Sequence, residues 1–227
     1  MVMLNAKVET DRVQALDVIL NAAELEFSEK GFDGASMKAL AARANVSQSL
    51  LHYHFNSKIR LYEAVIRTRS KLINDERLER LQSLDLTRED ALFRIIEALF
   101  QPALGPLGGG RAYARIFAGL IAGHARDQAL VRECYDPTAK VFVEAIAQVL
   151  GDTDQRTAAQ IYQFSLGVLA SVLSRDGRAE RLGGDAVLPL KDGALLQQLA
   201  RFVVGGANAI RDQTRSNGGE PYHENNP

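Results

Sequence analysis

Cysteine is almost absent from this chain: Cys134 stands alone among 227 residues. That excludes an intrachain disulfide and a cysteine-rich metal site. No sign of charge dominates either, because 27 Lys and Arg face 28 Asp and Glu for a formal net charge of −1. The protein as a whole is not a polycation, so any nucleic-acid site has to be a local patch. The opening MVMLNAKVETDR carries no apolar run behind a basic segment, so no secretory signal is expected and the protein is expected to be cytoplasmic. Apolar residues at 46% and charged residues at 24% are ordinary for a soluble globular chain, against disordered or fibrous classes. The nearest approach to a membrane span is Thr157 to Ser174, uncharged between Arg156 and Arg175. It holds Thr157, Gln160, Gln163, Ser165, Ser171 and Ser174, and is read as a helix buried in the core or between subunits.

Alternating strand patterns bounded by turn residues are also missing, and the periodicity is helical nearly throughout, so the fold class is all-α. Leu16, Ile19, Ala23 and Phe27 mark one apolar face of a helix from about Asp11 to Lys30, with Gly31 suited to a left-handed cap. Ser36 can cap a short helix from Met37 to Ala44. Asn45-Val46-Ser47 breaks it before a second short helix, Gln48 to His54. A longer helix is predicted from Lys58 to about Leu81 and another from Thr87 to Phe100. Gln101 to Gly110, with its two prolines and four glycines, reads as a loop or hinge. Helices resume over Arg111–Gly123 and Asp127–Leu150, the latter interrupted near Pro137. Asp176 to Asp192 reads as a loop, Gly193 to Asp212 as the last helix, and the polar end as a frayed tail.

The pair of short helices joined by a three-residue break has the form of a helix-turn-helix, whose second helix can enter the major groove. At about 100° per residue, Gln48, Ser49, His52 and Tyr53 share one arc of that helix, with Leu50 and Leu51 on another, expected to face inwards. Glutamine can bond bidentately to adenine, and an aromatic surface can meet a thymine methyl group. Between Gly34 and Arg69 stand Lys38, Arg43, Lys58, Arg60, Arg67 and Arg69 against Glu63 alone, the local excess that phosphate contact needs. On these features alone, two short helices in a bundle with a basic rim remain the alternative.

The stretch from Ile19 to Ile66 resembles, without a gap, the N-terminal DNA-binding domain of the TetR/AcrR family of transcriptional regulators. The resemblance rests on Phe27, Gly31 and Phe32, on the turn Ala41-x-x-Ala44-x-Val46-Ser47, and on the block Leu51-His52-Tyr53-His54-Phe55-x-Ser57-Lys58. It implies that Ser36 contacts a phosphate, that Ser47, Gln48, Ser49, His52 and Tyr53 face the groove, and that His54 and Lys58 hold the DNA backbone. His52 stands where the family commonly has tyrosine, so it either reads a base or packs on the backbone. Leu50 stands where many members have a small or hydroxyl residue. The implied organisation is a helix-turn-helix domain over residues 8–58, an effector-binding and dimerisation domain over 59–212, and a polar flexible tail over 213–227.

His52-x-His54 places two imidazoles about 200° apart on a helix, unsuited to joint ligation, and neither metal nor cofactor is expected. Gly108-Gly109-Gly110 lacks the flanking strand and Lys-Ser/Thr of a phosphate cradle and reads as a flexible connection. No G-x-S-x-G elbow occurs, and His124 with Asp127 lacks a nucleophile, so an enzyme is not expected. The partners expected are a double-stranded DNA operator, a second copy of the chain and a small-molecule effector. The homodimer face is expected on the helices around Ile161–Leu173 and Leu195–Ile210, where Gly167, Gly205 and Gly206 allow close approach; the alternative is that both helices are monomer core. Tyr113, Phe117, Ile121, His124, Tyr162 and Phe164 are the candidate effector-pocket residues. A drug-like amphipath, a fatty acyl compound or a nucleobase-derived metabolite would fit equally. The leading function is a repressor released by its effector. An activator or unliganded regulator, or a helical ligand-binding protein that has lost DNA binding, are the alternatives.

Overall fold

The computed structural model describes residues 2–121, 125–151, 153–174, 178–183 and 192–217, and within them the fold is all-α. Helix α1 spans Val2–Gly34, beginning well before the Asp11 predicted from periodicity. It breaks at Gly31, whose φ of 67° is open to glycine but whose ψ of 174° is not that of the expected left-handed cap. Helix α2 (Met37–Arg43) starts at Ser36, whose hydroxyl oxygen accepts from the Ala39 N–H at 3.1 Å. Helix α3 (Gln48–Phe55) starts the same way at Ser47, which accepts from the Leu50 N–H at 3.1 Å. The turn between them closes through Val46 N–H to Ala41 O and Asn45 N–H to Ala42 O, with Asn45 at φ 54°. That hydrogen-bond pattern is a Schellman closure, and asparagine tolerates the left-handed position better than other side-chain-bearing residues.

Helix α4 (Lys58–Gln82) carries the chain away from this unit as one uninterrupted rod of about 37 Å. Helices α5 (Ala91–Leu104), α6 (Gly110–Ile121), α7 (Gln128–Cys134) and α8 (Asp136–Val149) follow. Helices α9 (Gln155–Ser174), α10 (Arg178–Gly183) and α11 (Asp192–Asn217) complete the described chain. The interruption expected at Pro137 falls between α7 and α8, with the proline in the first turn of α8, where a missing N–H costs nothing. Two loop predictions need correction. Residues 101–104 continue α5 through Pro102, and a short 3-10 turn, Pro106–Gly108, leads directly into α6. Within the loop predicted over 176–192, residues 178–183 are helical and most of the remainder lies outside the described residues.

Nor is the glycine run a flexible connection. Gly108 is buried so closely against α5 that a Cβ there would sit 2.1 Å from the Ala103 carbonyl oxygen. The glycine makes a tight corner possible where composition suggested a hinge.

Two apolar clusters hold the molecule together. One joins α5, α8, α9 and α11 through residues such as Leu99, Phe100, Phe142, Ile146 and Leu169. The other begins in the helix-turn-helix with Ile19, Phe27, Leu40, Leu51 and Leu61, and runs on through Tyr113, Phe117, Leu130 and Tyr135 of α6 to α8. The core under the short helices is thus continuous with the first helices of the larger bundle, and α6 packs against both α1 and α9. Among the described residues no helix is long and apolar enough to cross a membrane.

Candidate nucleic-acid interface and ligand cavity

Helix α3 is anchored by Leu51, which is completely buried, while Gln48, Ser49, His52 and Tyr53 on its other face are exposed. Tyr53 is 77% exposed and meets the His54 ring edge-on, centroid to centroid at 5.2 Å. Leu50, expected inside, is 37% exposed and flanks this face. An eight-residue helix one leucine wide at its root can bury only one of two adjacent leucines. Ser36 and Ser47 are both exposed at helix starts; each uses an oxygen lone pair for its cap and keeps its O–H free to donate outwards.

His52 lies 3.1 Å through Nδ1 from the Asn56 carbonyl oxygen. Because a carbonyl only accepts, Nδ1 carries the proton, and in the neutral ring Nε2 is left as an acceptor. Lys58 is turned inwards: its ammonium donates to the Ala35 carbonyl at 2.9 Å and the Asp33 carbonyl at 3.3 Å, and lies 4.5 Å from the Phe32 ring centre. Lys58, which the resemblance implies holds the DNA backbone, here clamps the start of α4 to the end of α1. Phe27, Phe32 and Tyr62 form the aromatic knot beneath it, Tyr62 lying 5.1 Å from each phenylalanine edge-on.

The local basic excess is largely compensated from elsewhere in the chain. Arg43 pairs with Glu26 and Glu29, Arg69 with Glu24, and Arg67 with both Glu63 and Glu133. Arg60 keeps 69% of its side chain exposed beside Glu63. Apart from Glu63, the carboxylates come from α1 and α7, outside the window, so a count along it overstates the free positive charge. The Arg43 pairs tie α2 to α1, and the Arg67–Glu133 pair ties α4 to α7. Arg126 adds to them, lying 4.2 Å from the Phe32 ring centre and 2.8 Å from the buried Asp127.

In the bundle a cavity of about 160 Å³ opens between α4, α6, α7, α8 and α9. Of the candidate pocket residues, Phe117, Ile121 and Tyr162 line it, together with Arg77, Tyr135 and Asp136. Tyr113 lies alongside, facing a much smaller void and hydrogen-bonded to the Tyr135 hydroxyl. Phe164 does not join them: it is 59% exposed on the opposite side of α9. His124 lies outside the described residues. Burial pushes the phenols of Tyr113, Tyr135 and Tyr162 up, so all three are neutral at physiological pH. Sequence reasoning missed Arg77, which sits in the charged run Asp75-Glu76-Arg77 yet falls on the buried stripe Ile66, Ser70, Ile73, Arg77, Leu81. That three-and-four spacing was the available signal.

A broad open groove of about 800 Å³ runs between α9 and α11, lined by Phe164, Gly167, Val168, Val172, Leu199 and Phe202. Phe202 is 71% exposed, and a Cβ on Gly167, Gly205 or Gly206 would meet nothing within 4 Å. Among the described residues, no group of three His, Cys, Asp or Glu side chains converges as a metal site.

A sequence profile described as "Bacterial regulatory proteins, tetR family" matches residues 19–65, and one described as "Tetracyclin repressor-like, C-terminal domain" matches 95–206. The Staphylococcus aureus (strain Newman) biofilm operon icaADBC HTH-type negative transcriptional regulator IcaR is 39% identical over 51 residues, 22% of this chain and 27% of that protein. The Escherichia coli (strain K12) HTH-type transcriptional regulator UidR is 38% identical over 89 residues, 38% of this chain and 45% of that protein. The chain therefore matches less than half the length of these curated relatives. Among solved structures, a TetR-like transcriptional regulator from Rhodococcus sp. RHA1 superposes with a TM-score of 0.58 at 25% identity, covering 85% of this chain and 96% of that one. The fatty acid degradation regulator FadR from Bacillus halodurans gives 0.63 at 16% identity over 85% and 95% of the two chains, a likeness of fold alone.

Proposed function

Since the chain belongs to the TetR family of transcriptional regulators, we propose that it is a homodimeric repressor that binds an operator through α3 and is released by a small-molecule effector. The observation that carries this reading is the division of α3, with Leu51 fully buried and Gln48, Ser49, His52 and Tyr53 exposed together. Gln48 supplies the donor and acceptor that adenine matches, Tyr53 an aromatic face for thymine methyl, and His52 a ring acceptor for an exocyclic amine. Ser36, Ser47 and His54 flank this face and would contact phosphates, while Lys58 sets the angle between α1 and α4 from within. A function in repression draws on IcaR, whose name records negative regulation. A chromosomal regulator works in the cytoplasm, and the division into residues 8–58 and 59–212 separates reading from sensing.

Two half-sites about 34 Å apart require a twofold dimer, and the α9–α11 groove is the face we assign to it. Gly167 lines the groove and Gly205 and Gly206 are exposed further along α11. Each helical glycine costs about 1 kcal/mol against alanine, no neighbour within the protomer fills the space beside them, and a partner helix approaching closely would explain them. Effector control follows from α4, which begins at the recognition unit and ends beside the cavity. Occupancy of the cavity shifts the preferred placement of α4 and α6, and through Arg126 and the Phe32–Tyr62 knot the spacing of the two α3 helices. A coupling of about 1–3 kcal/mol would weaken operator binding roughly 5–150-fold.

Fluorescence anisotropy with DNA from upstream of the chain's own gene tests the reading. Gln48→Ala and Tyr53→Ala should each weaken specific binding by about 1–3 kcal/mol and leave binding to random duplex unchanged. Equal losses on both DNAs would refute base reading, and lower reporter expression on deleting the gene would refute repression.

A further inference from the structure

Arg77 is 1% exposed, and its guanidinium is held by neutral partners only. Nε donates to the Leu99 carbonyl at 2.9 Å, and Nη1 to Asn74 Oδ1 at 3.2 Å, with Asn74 in turn donating to the Cys134 carbonyl at 2.7 Å. A guanidinium has five N–H groups; among the described residues no acceptor takes the other three, and no carboxylate lies within ion-pairing distance. Buried charges are ordinarily paired. This one lines the 160 Å³ cavity, whose other walls include Phe117, Leu120, Ile121, Val131 and Leu166.

We propose that this cavity takes a small aromatic monocarboxylate, its carboxylate paired with Arg77 and its ring against Phe117, Ile121, Val131 and Leu166. The inference rests on the reading of this cavity as the effector site. Carboxylates match a guanidinium bidentately, which uses the unfilled N–H groups and supplies the missing counter-charge. An apolar cavity of about 150 Å³ accommodates benzene, so the volume suits a single ring with a short acidic arm. Tyr135 and Tyr162, held neutral by burial, can donate to the same carboxylate without opposing its charge. Asp136, half-buried at the start of α8, is the one carboxylate among the described residues lining the cavity and is not paired with Arg77. It disfavours a second negative group, so the site discriminates against dicarboxylates.

The test is isothermal titration of the full-length protein, without DNA and at fixed ionic strength, with benzoate, phenylacetate and 3-phenylpropionate, each against its primary amide. At least one acid should bind at least tenfold more tightly than its amide, and phthalate should bind more weakly than benzoate. Arg77→Met should abolish the preference for acid over amide, and Arg77→Lys should retain part of it. Equal binding of acids and amides, no binding of any acid, or an acid preference surviving in Arg77→Met would overturn the proposal. Should Arg77→Met fail to fold, the acid–amide comparison on the unaltered protein and Arg77→Lys still decides. A gel shift with the same acid separates this from the wider reading. Binding without DNA release leaves the anion site standing and refutes effector release; operator binding with no acid bound refutes the anion site alone.

Discussion

Phe202→Ala is the most informative single perturbation of the proposed dimer. An aromatic side chain of this size presents roughly 200 Å², so 71% exposure leaves about 140 Å² of Phe202 open to water. Covering that area is worth about 3.5 kcal/mol at 25 cal/mol per Å², and a twofold interface contains the residue twice, about 7 kcal/mol as an upper bound. Alanine retains part of the contact and the partner relaxes into the gap, so the loss falls to about 2–4 kcal/mol of association, a roughly 30- to 1000-fold rise in dimer Kd. The same exposure means that Phe202 does little for the fold of one protomer, and the far-ultraviolet circular dichroism of the variant should be unchanged. Sedimentation equilibrium over a dilution series reads the Kd directly. A dimer Kd within threefold of the unaltered protein's would remove the α9–α11 groove from the dimer, and with it the explanation of Gly167, Gly205 and Gly206.

Two further outcomes follow from burial. Leu51→Ala should destabilise the protein by about 2–5 kcal/mol in urea denaturation, whereas Leu50→Ala, 37% exposed, should change stability by less than about 0.5 kcal/mol; similar losses at both would contradict the assigned inner face of α3. Glu24 is buried beside Arg69, and loss of hydration raises its pKa above the ordinary 4.5 more than the arginine lowers it. A carboxyl with a raised folded-state pKa gives stability that is present at low pH and lost as pH rises through the raised value. The stability of the unaltered protein relative to Glu24→Gln should therefore fall as pH increases from about 4 to 7 in matched thermal melts; a rise over that window would contradict the assignment.

What could be read from the sequence divides by the range of the interaction. Ser36 announces its helix because a capping hydroxyl acts within three residues, and Ser47, read from the sequence only as part of the break, caps the next helix in the same way. Pro137 marks a helix start for the same local reason. The errors arise where composition is silent about packing or where partners are distant. Gly108 composes as a flexible loop but is packed against the backbone at Ala103, five residues back. The positive charge counted from Gly34 to Arg69 is answered by Glu24, Glu26, Glu29 and Glu133, none of which lies in that window. Phe164 and Tyr162 are two residues apart and both aromatic, yet a helix turns them to opposite sides, one to the groove and one to the cavity. Arg77 was legible through the spacing of its stripe, but charge hid it: a lone arginine on an apolar face becomes conspicuous only when the absence of a carboxylate partner can be seen.

Whether α3 reads base sequence is tested most directly by a salt series. Binding of the protein to a duplex from upstream of its own gene and to a shuffled duplex of equal length should be measured from low to near-physiological salt. Phosphate attraction weakens steeply with salt on both duplexes, whereas contacts to base edges persist on one. Base reading by α3 should show as a widening preference for the upstream duplex, with tight binding to it retained at near-physiological salt. Parallel, steeply falling curves for the two duplexes would contradict it.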